Sequence, residues 1–487
     1  MLLKGRKKIT TEYTSNELKA NPIDARFALI SIWNTTFSNH LQNKSEIDYL
    51  QEYSKGVQPV LYREKVIRDD VLNNLVLNHA QMITRNINGY FLGTPIQYIQ
   101  NGNKNSKDFI DLLNRYVAYE DKASVDKEIG DFQSVCGTAY RIIYTDGLLA
   151  DEVPFEDKSL DPATTYVVYE NTIAEKPVVG ITYHNMYKED GSFKGYKLYF
   201  YTDFGVYIFI TDEHNELDET SPYVFEPYNV GGVPIIEYPN NMWRIGDWEL
   251  CIGLMDAINN LNSGRLDDID QIIQSLLVFI NAEIDADGYD EMREKGVVLL
   301  KNTTGLASDV KTVNNALDQG GMHLFAEEME SLLYALIGIP DRNNRSGGGG
   351  DTGQAVELRD GWADLEIIAR NKELVYKKAE KQTLKIILTM VGNTGGFKLS
   401  PMDVDIKFTR NKNNNLLVKS QSYSTLLATK TLSPADCLTI VDLVSDVDEY
   451  ITRGEAFWKD QFGGAEPEVP KPNDPLKKAS TNGSEGQ

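Results

Sequence analysis

Apolar side chains recur three or four positions apart through most of this chain, and the runs that break this rule mark a second kind of structure. The helical period predicts a first helix from about Thr11 to Gln51, entered near Asn21-Pro22, with Phe27, Leu29, Ile30, Ile32 and Trp33 as its apolar stretch. A second helix is expected from about Val71 to Tyr90, ended by Gly93-Thr94-Pro95, with a strand over Ile96 to Ile99. Ser106 to Tyr119 and Lys122 to Cys136 read as helices, the latter stopped by Gly137, and Tyr140 to Tyr144 as a strand. From Thr165 to Ile236 the period falls to two. Val, Tyr and Ile alternate with polar residues between turn signals such as Asp190-Gly191, which predicts an antiparallel β region.

The helical period returns from about Ile245 to Leu277, with Leu250, Leu254, Ile258, Leu261, Ile269, Ile272 and Leu276. Shorter pieces follow, with strands expected at Val297 to Leu300 and Val310 to Val313, then a helix from Gly321 to Leu336. Arg342 to Ser346 and the glycines Gly347 to Gly350 cannot hold regular structure. Thr352 to about Val391 carries the longest periodic run, a helix roughly 60 Å long at 1.5 Å per residue. A strand from Asp403 to Phe408 and two or three helices up to Phe462 complete the ordered part. Ser433-Pro434 looks like a helix start. The Pro-, Ser- and Gly-rich end after Gly464 is expected to be disordered.

Composition narrows the function. With 487 residues, 41% hydrophobic and 25% charged, most of the chain should fold, in more than one part. A net charge of −23 argues against tight static binding of nucleic acid, whose phosphates call for a basic face. It suits a surface past which DNA slides. Cys136, Cys251 and Cys437 are far apart and read as buried thiols in a reducing compartment. No apolar run long enough to span a membrane is present, which places assembly in a cytoplasm.

Catalytic patterns fail one by one. Gly347 to Gly350 continue into Asp351-Thr352-Gly353 and not into the Gly-Lys-Ser/Thr of a phosphate-binding loop. His40, His79, His184, His214 and His323 form no close pair of metal ligands. The acidic stretch Asp285-Ala286-Asp287-Gly288-Tyr289-Asp290-Glu291 misses the calcium-loop template. No Gly-x-Ser-x-Gly elbow occurs. The expectation is therefore no enzyme, no cofactor and no metal. Asp256, Asp267, Asp268 and Asp270 make one long helix strongly acidic, either as a solvated face or as a channel wall.

Five motifs in order carry a resemblance: Tyr53-Ser54-Lys55-Gly56-Val57-Gln58-Pro59-Val60; Asn73 to Ala80, running on to Gly89 to Pro95; Cys136-Gly137-Thr138-Ala139-Tyr140; Val233 to Asn241, followed by Gly246-Asp247-Trp248-Glu249 and Leu254 to Asn259; and Ala335 to Asp341 before the glycine-rich loop. From Asn21 to Phe462 the chain resembles the portal proteins of long-tailed phages of Gram-positive hosts. The resemblance implies an α+β fold with an α/β wing and body (residues 1–240), a first stem helix (241–277), a small β-containing clip (278–319) and a second stem helix (320–340). It further implies a tunnel loop (341–351), a long helix returning to the wing (352–400), a helical crown (401–463) and a disordered tail (464–487).

The implied function is a virion subunit, assembled in the host cytoplasm into a homo-oligomeric ring, usually a dodecamer, at one capsid vertex. Double-stranded DNA would enter during packaging and leave at ejection through its channel. Implied partners are the terminase large subunit, the head–tail adaptor, and the major capsid and scaffolding proteins, with no membrane. On this reading Arg342, Asn343, Asn344, Arg345, Ser346, Gly347, Gly348, Gly349 and Gly350 face DNA. The acidic stem residues Asp256, Asp267, Asp268 and Asp270 line the channel, and Asp285, Asp287, Tyr289 and Glu291 belong to the docking clip. The alternatives are another structural head protein, such as an adaptor or minor capsid subunit, and an ATP-driven packaging enzyme, which would need the Walker motifs absent here.

Overall fold

The N-terminal periodic run is not one helix. In the computed structural model of the chain, Ile9–Thr11 form a strand (β1) and a short helix α1 (Ser15–Ala20) follows. The long helix α2 (Ala25–Ser54) begins only after Asn21-Pro22. Proline has no N–H to donate and disfavours helix in the residue before it, so the pattern that suggested continuity is interrupted there. Thr14 and Glu17 close a reciprocal capping box on α1. The structure describes residues 4–65, 71–101, 106–145, 153–273, 276–280, 282–283, 301–302, 309–313, 319–341, 362–410, 416–429, 431–441, 443–444 and 447–462. They fall into two units, Met1–Asn411 and Lys412–Gln487.

Within the first unit α2 lies against a six-stranded sheet. Its strands are β5 (Thr165–Glu170), β6 (Pro177–Tyr187), β7 (Phe193–Tyr201), β8 (Gly205–Ile210) and β9 (Tyr223–Pro227), with β1 added in parallel beside β5. The other pairings are antiparallel, as the alternating pattern predicts. Trp33 is fully buried, stacks on Phe37 at 4.0 Å and meets Tyr183 and Phe200 edge-on. His40 sits beneath, 4.3 Å from the Tyr166 ring and hydrogen-bonded with Tyr183 Oη at 3.1 Å. Burial lowers its pKa to about 3, so it stays neutral and structural.

A second layer is built on a three-stranded sheet, ordered β10 (Ile235–Pro239), β3 (Thr138–Tyr144), β4 (Glu156–Leu160). Helices α3 (His79–Phe91), α4 (Lys107–Tyr119) and α5 (Lys122–Cys136) belong to this layer. Gly137 ends α5 with φ +76°, where an added Cβ would fall 2.1 Å from the Arg244 carbonyl oxygen. The helix expected from Val71 starts only at His79. Asn78 caps it by accepting the Gln81 amide hydrogen at 3.3 Å, and residues 71–78 run without helix, the amides of Asn73, Leu75 and Leu77 being bonded to Asp267, Ser263 and Asn259.

The next elements are α6 (Ile252–Ile273), β11 (Leu276–Ile280), β12 (Ala282–Glu283), β13 (Lys301–Asn302), β14 (Asp309–Val313) and α7 (Gln319–Ile337). The helix expected up to Leu277 stops at Ile273, and Leu-Leu-Val-Phe-Ile passes into a strand, as aromatic and β-branched residues favour. The strand expected at Val297 to Leu300 lies outside the described residues; that at Val310 to Val313 is β14.

Helix α8 (Trp362–Asn393) is about 48 Å long at 1.5 Å per residue. The earlier part expected from Thr352 lies outside the described residues. Strand β15 (Val404–Lys407) pairs with β2 (Gln97–Gln100), so residues 401–410, read from the sequence as the start of a crown, join the first unit. The second unit holds α9 (Leu416–Ala428), α10 (Pro434–Val441) and α11 (Val447–Phe462). Ser433 Oγ accepts the Asp436 amide hydrogen at 3.1 Å, with Pro434 at the first helical position. The class is α+β, as expected.

Candidate functional site

Helices α6 and α7 pack along one another, and the chain leaves and re-enters them through the antiparallel pair β11–β14, from Leu276 opposite Val313 to Ile280 opposite Asp309. Met255 and Ile258 of α6 and Leu333 and Ile337 of α7 are buried in the same core. This is a helical pair with a β extension.

The polar residues of α6 form a stripe. Asp256, Asn259, Ser263, Asp267 and Asp270 are spaced three or four apart and therefore share one face. A strap made of residues 53–65 and 71–77 lies on it. Tyr53 Oη donates to Asp256 at 2.9 Å, and Asn259 donates to Gln58 at 2.6 Å while accepting the Leu77 amide hydrogen at 2.9 Å. Ser263 Oγ accepts from Leu75 N at 2.9 Å, and Asp267 accepts from Asn73 N at 2.7 Å. Asn73 Nδ2 donates to Asp270 at 2.7 Å. Arg63 and Lys65, the latter at 3.2 Å, pair with the buried Asp267 carboxylate. Burial by itself would raise the Asp267 pKa; the Asn73 amide, Lys65 and Arg63 outweigh it and hold it below the usual carboxylate value. Burial raises Asp256, against the opposing Tyr53 bond.

The entry to α6 is braced separately. Arg6, buried, donates to the Cys136 carbonyl at 3.0 Å and pairs with Glu249 and Glu46. Glu249 also accepts the Gly246 amide hydrogen at 2.9 Å. Arg244 grips Glu237 with two bonds of 2.6 and 2.9 Å, and Lys372 of α8 reaches Asp247 at 2.7 Å.

Deeper in the body, five buried charges meet. Lys122 lies 2.7 Å from Asp126 and 2.9 Å from Glu380, and Arg141 pairs with Asp126, with Glu380 at 3.1 Å and with Asp157 at 3.4 Å. Tyr98 and Tyr238 donate to Glu380 at 2.6 and 2.8 Å, and Tyr376 donates to Asp126 at 2.9 Å. Two cations face three carboxylates. Asp157 has no hydrogen bond to either oxygen, and burial raises its pKa to about 6 against the pull of Arg141 and Lys122. Burial also opposes ionisation of Glu380, but Lys122 and Arg141 hold its carboxyl well below the usual range.

Residues 35–456 match the sequence profile of a family described as "Phage portal protein, SPP1 Gp6-like". The chain belongs to this portal protein family. No curated protein matches the sequence. Among solved structures, a chain from the neck of an empty GTA particle, computed with C6 symmetry, is 13% identical with TM-score 0.44, covering 81% of this chain and 93% of that one. A chain from the neck of the native GTA particle, computed with C12 symmetry, is 12% identical with TM-score 0.41, covering 82% of this chain and 94% of that one.

In this portal-family chain the four stem aspartates fare differently. Asp256, Asp267 and Asp270 are engaged by the strap, whereas half-buried Asp268 has no hydrogen bond or ion pair among the described residues. Arg342 to Gly350, the clip residues Asp285, Asp287, Tyr289 and Glu291, and the tail after Gly464 lie outside the described residues. Helix α7 is apolar on both sides: Ala326, Leu333 and Ile337 are buried, while Leu324, Phe325, Leu332 and Leu336 are exposed. No helix of the described residues is long and apolar enough to cross a membrane, and they hold no group of His, Cys, Asp or Glu arranged for a metal ion. Asn73 and Asn259 fall within the sequence motifs, but neither they nor Arg6, Arg63 and Ser263 are marked there as site residues. The three-and-four spacing of Asn259 and Ser263 between the aspartates was the available signal for a docked strap.

Proposed function

We propose that this chain is the portal-vertex subunit, closing into a ring, by family expectation a dodecamer, through which double-stranded DNA enters the capsid and leaves at ejection. The observation that carries this reading beyond the family is α7. Beside its buried residues α7 carries a second, exposed apolar stripe, Leu324, Phe325, Leu332 and Leu336, which has no cover among the described residues. A neighbouring copy supplies that cover in a ring. The net charge of −23 suits a wall that does not hold phosphate, and Asp268 is the stem aspartate available for that wall.

The segment 341–351, with Arg342 and Arg345, serves as the tunnel loop touching DNA, and 278–319 as the clip for the terminase large subunit and the head–tail adaptor. Capsid and scaffolding proteins surround the ring in the virion. Negative-stain imaging of the purified chain tests this: rings with a central hole are expected, and a compact monomer at all concentrations refutes it. Deleting Gly347 to Gly350 is expected to impair DNA packaging while rings still form; loss of rings instead would remove the loop assignment.

A further inference from the structure

Two tryptophans five residues apart are treated in opposite ways. Trp248 is fully buried and donates its Nε1–H to Thr84 at 3.1 Å. Trp243 is 65% exposed, beside Met242 at 76% and with Leu250 at 83% further along. Displaying an indole to water forgoes a large burial gain, so its holder matters. The turn that carries Trp243 is rigid. Asn241 Oδ1 accepts the amide hydrogens of Trp243 and Ile245, each at 3.1 Å, and Asn241 Nδ2 donates to the Ile245 carbonyl at 2.8 Å. Arg244 adopts φ +55° and is clamped on Glu237. Gly5 packs beneath, where a Cβ would come 2.4 Å from the Trp243 carbonyl oxygen. An exposed aromatic on a pre-ordered turn has the properties of an interface anchor.

The same chain carries a receptor of matching chemistry. A cavity of about 260 Å³ lies between α3 and the end of α7, lined among others by Gln81, Met82, Arg85, Tyr334, Ile339 and Pro340. It is the size of a single side chain rather than of a drug-like ligand. Arg85 makes no hydrogen bond or ion pair among the described residues, leaving its guanidinium available to stack on an aromatic face.

Thr84, which receives Trp248, and Met82 and Arg85, which line the cavity, lie roughly 100–160° apart around α3 at 3.6 residues per turn. The knob-bearing segment thus packs on one side of α3 and the cavity opens on another. Two different patches on one subunit are what a head-to-tail ring contact requires.

We propose that Trp243 of one copy docks into the α3–α7 cavity of the next copy, stacked on its Arg85 and set against its Met82 and Tyr334. This rests on the ring reading above and names the contact that closes the ring. The test compares assembly of the full chain with that of variants by native mass spectrometry over a concentration series, with thermal unfolding as the check on folding. Trp243→Ala (knob lost) and Arg85→Glu (cavity blocked) should each raise the half-assembly concentration tenfold or more. Ile173→Ala, at another exposed apolar residue, should leave assembly unchanged. Each disabled copy keeps one good face, so mixing the two variants should yield pairs that do not extend into rings. Rings formed by either variant as readily as by the wild type, or no pairing in the mixture, would overturn the docking and leave the ring reading standing. A wild type that never associates would end both.

Discussion

The buried charge cluster of the body and the helix α7, a stem helix in the proposal above, handle their awkward side chains in opposite directions. In the body, five charges are taken inside, where Lys122, Asp126, Arg141, Asp157 and Glu380 are almost wholly buried and bound to one another. In the stem, α7 leaves Leu324, Phe325, Leu332 and Leu336 outside. The charge cluster therefore completes its interactions within one chain, whereas in the ring proposed above α7 would complete its own against a neighbouring copy. On that proposal one region's stability is intrinsic and the other's depends on concentration.

The strongest way to break this contrast is to remove Arg141. Arg141→Ala leaves three carboxylates around Lys122 alone and should lower folding stability by about 3–5 kcal/mol, read by chemical denaturation. Next, Asp267→Ala should cost about 1–3 kcal/mol by stripping partners from Asn73, Arg63 and Lys65. Hydrogen exchange should then quicken at the amides of Asn73, Leu75 and Leu77. Unchanged exchange there would mean that apolar packing and not the polar stripe holds the strap.

A smaller effect concerns pH. The folded-state pKa of Asp157 is raised to about 6, so the native state holds its proton longer than the unfolded chain does. Its contribution is complete below the ordinary carboxylate pKa and is lost as pH rises through about 6. Glu380 works the other way: its contribution is present above the ordinary value and is lost as pH falls toward its lowered pKa. Asp157→Asn should flatten the fall in stability between about pH 4 and pH 6 and leave the acid limb set by Glu380 in place. A slope unaltered by that substitution would show that Asp157 is not the titrating group. Smallest on the isolated chain is Leu332→Asp with Leu336→Asp, expected to change monomer stability by no more than about 0.5 kcal/mol while abolishing assembly.

Much of the frame was legible from periodicity because it is local. Gly137 ends α5, the alternating region forms the large sheet, and two helices flank a β insert as apolar spacing indicated, the first shortened from the expected Ile245 to Leu277 to Ile252–Ile273. What escaped was decided by distant partners. Residues 71–78 have a helical pattern, yet Asn259, Ser263 and Asp267, nearly two hundred positions later, take the amide hydrogens of Leu77, Leu75 and Asn73. Arg6 stands among Lys4, Lys7 and Lys8 with no local mark of burial, yet it is buried and paired with Glu46 and Glu249. The aspartates of α6 were recognised as one acidic helix, while their use as a dock depended on a strap whose path no local signal reveals.

The pairing of β2 with β15 has a consequence for synthesis. Strand Gln97–Gln100 finds its partner only at Val404–Lys407, some three hundred residues later. At about 5–20 residues per second, a ribosome needs roughly 15–60 s to supply it. Through that interval the nascent chain carries an unmatched strand edge able to template foreign pairing. Tyr98 of the same strand also waits for Glu380 of α8. Expression yield should therefore depend on how quickly the stretch between residues 100 and 404 is translated, and a chain cut before Val404 should aggregate through the bare edge of β2.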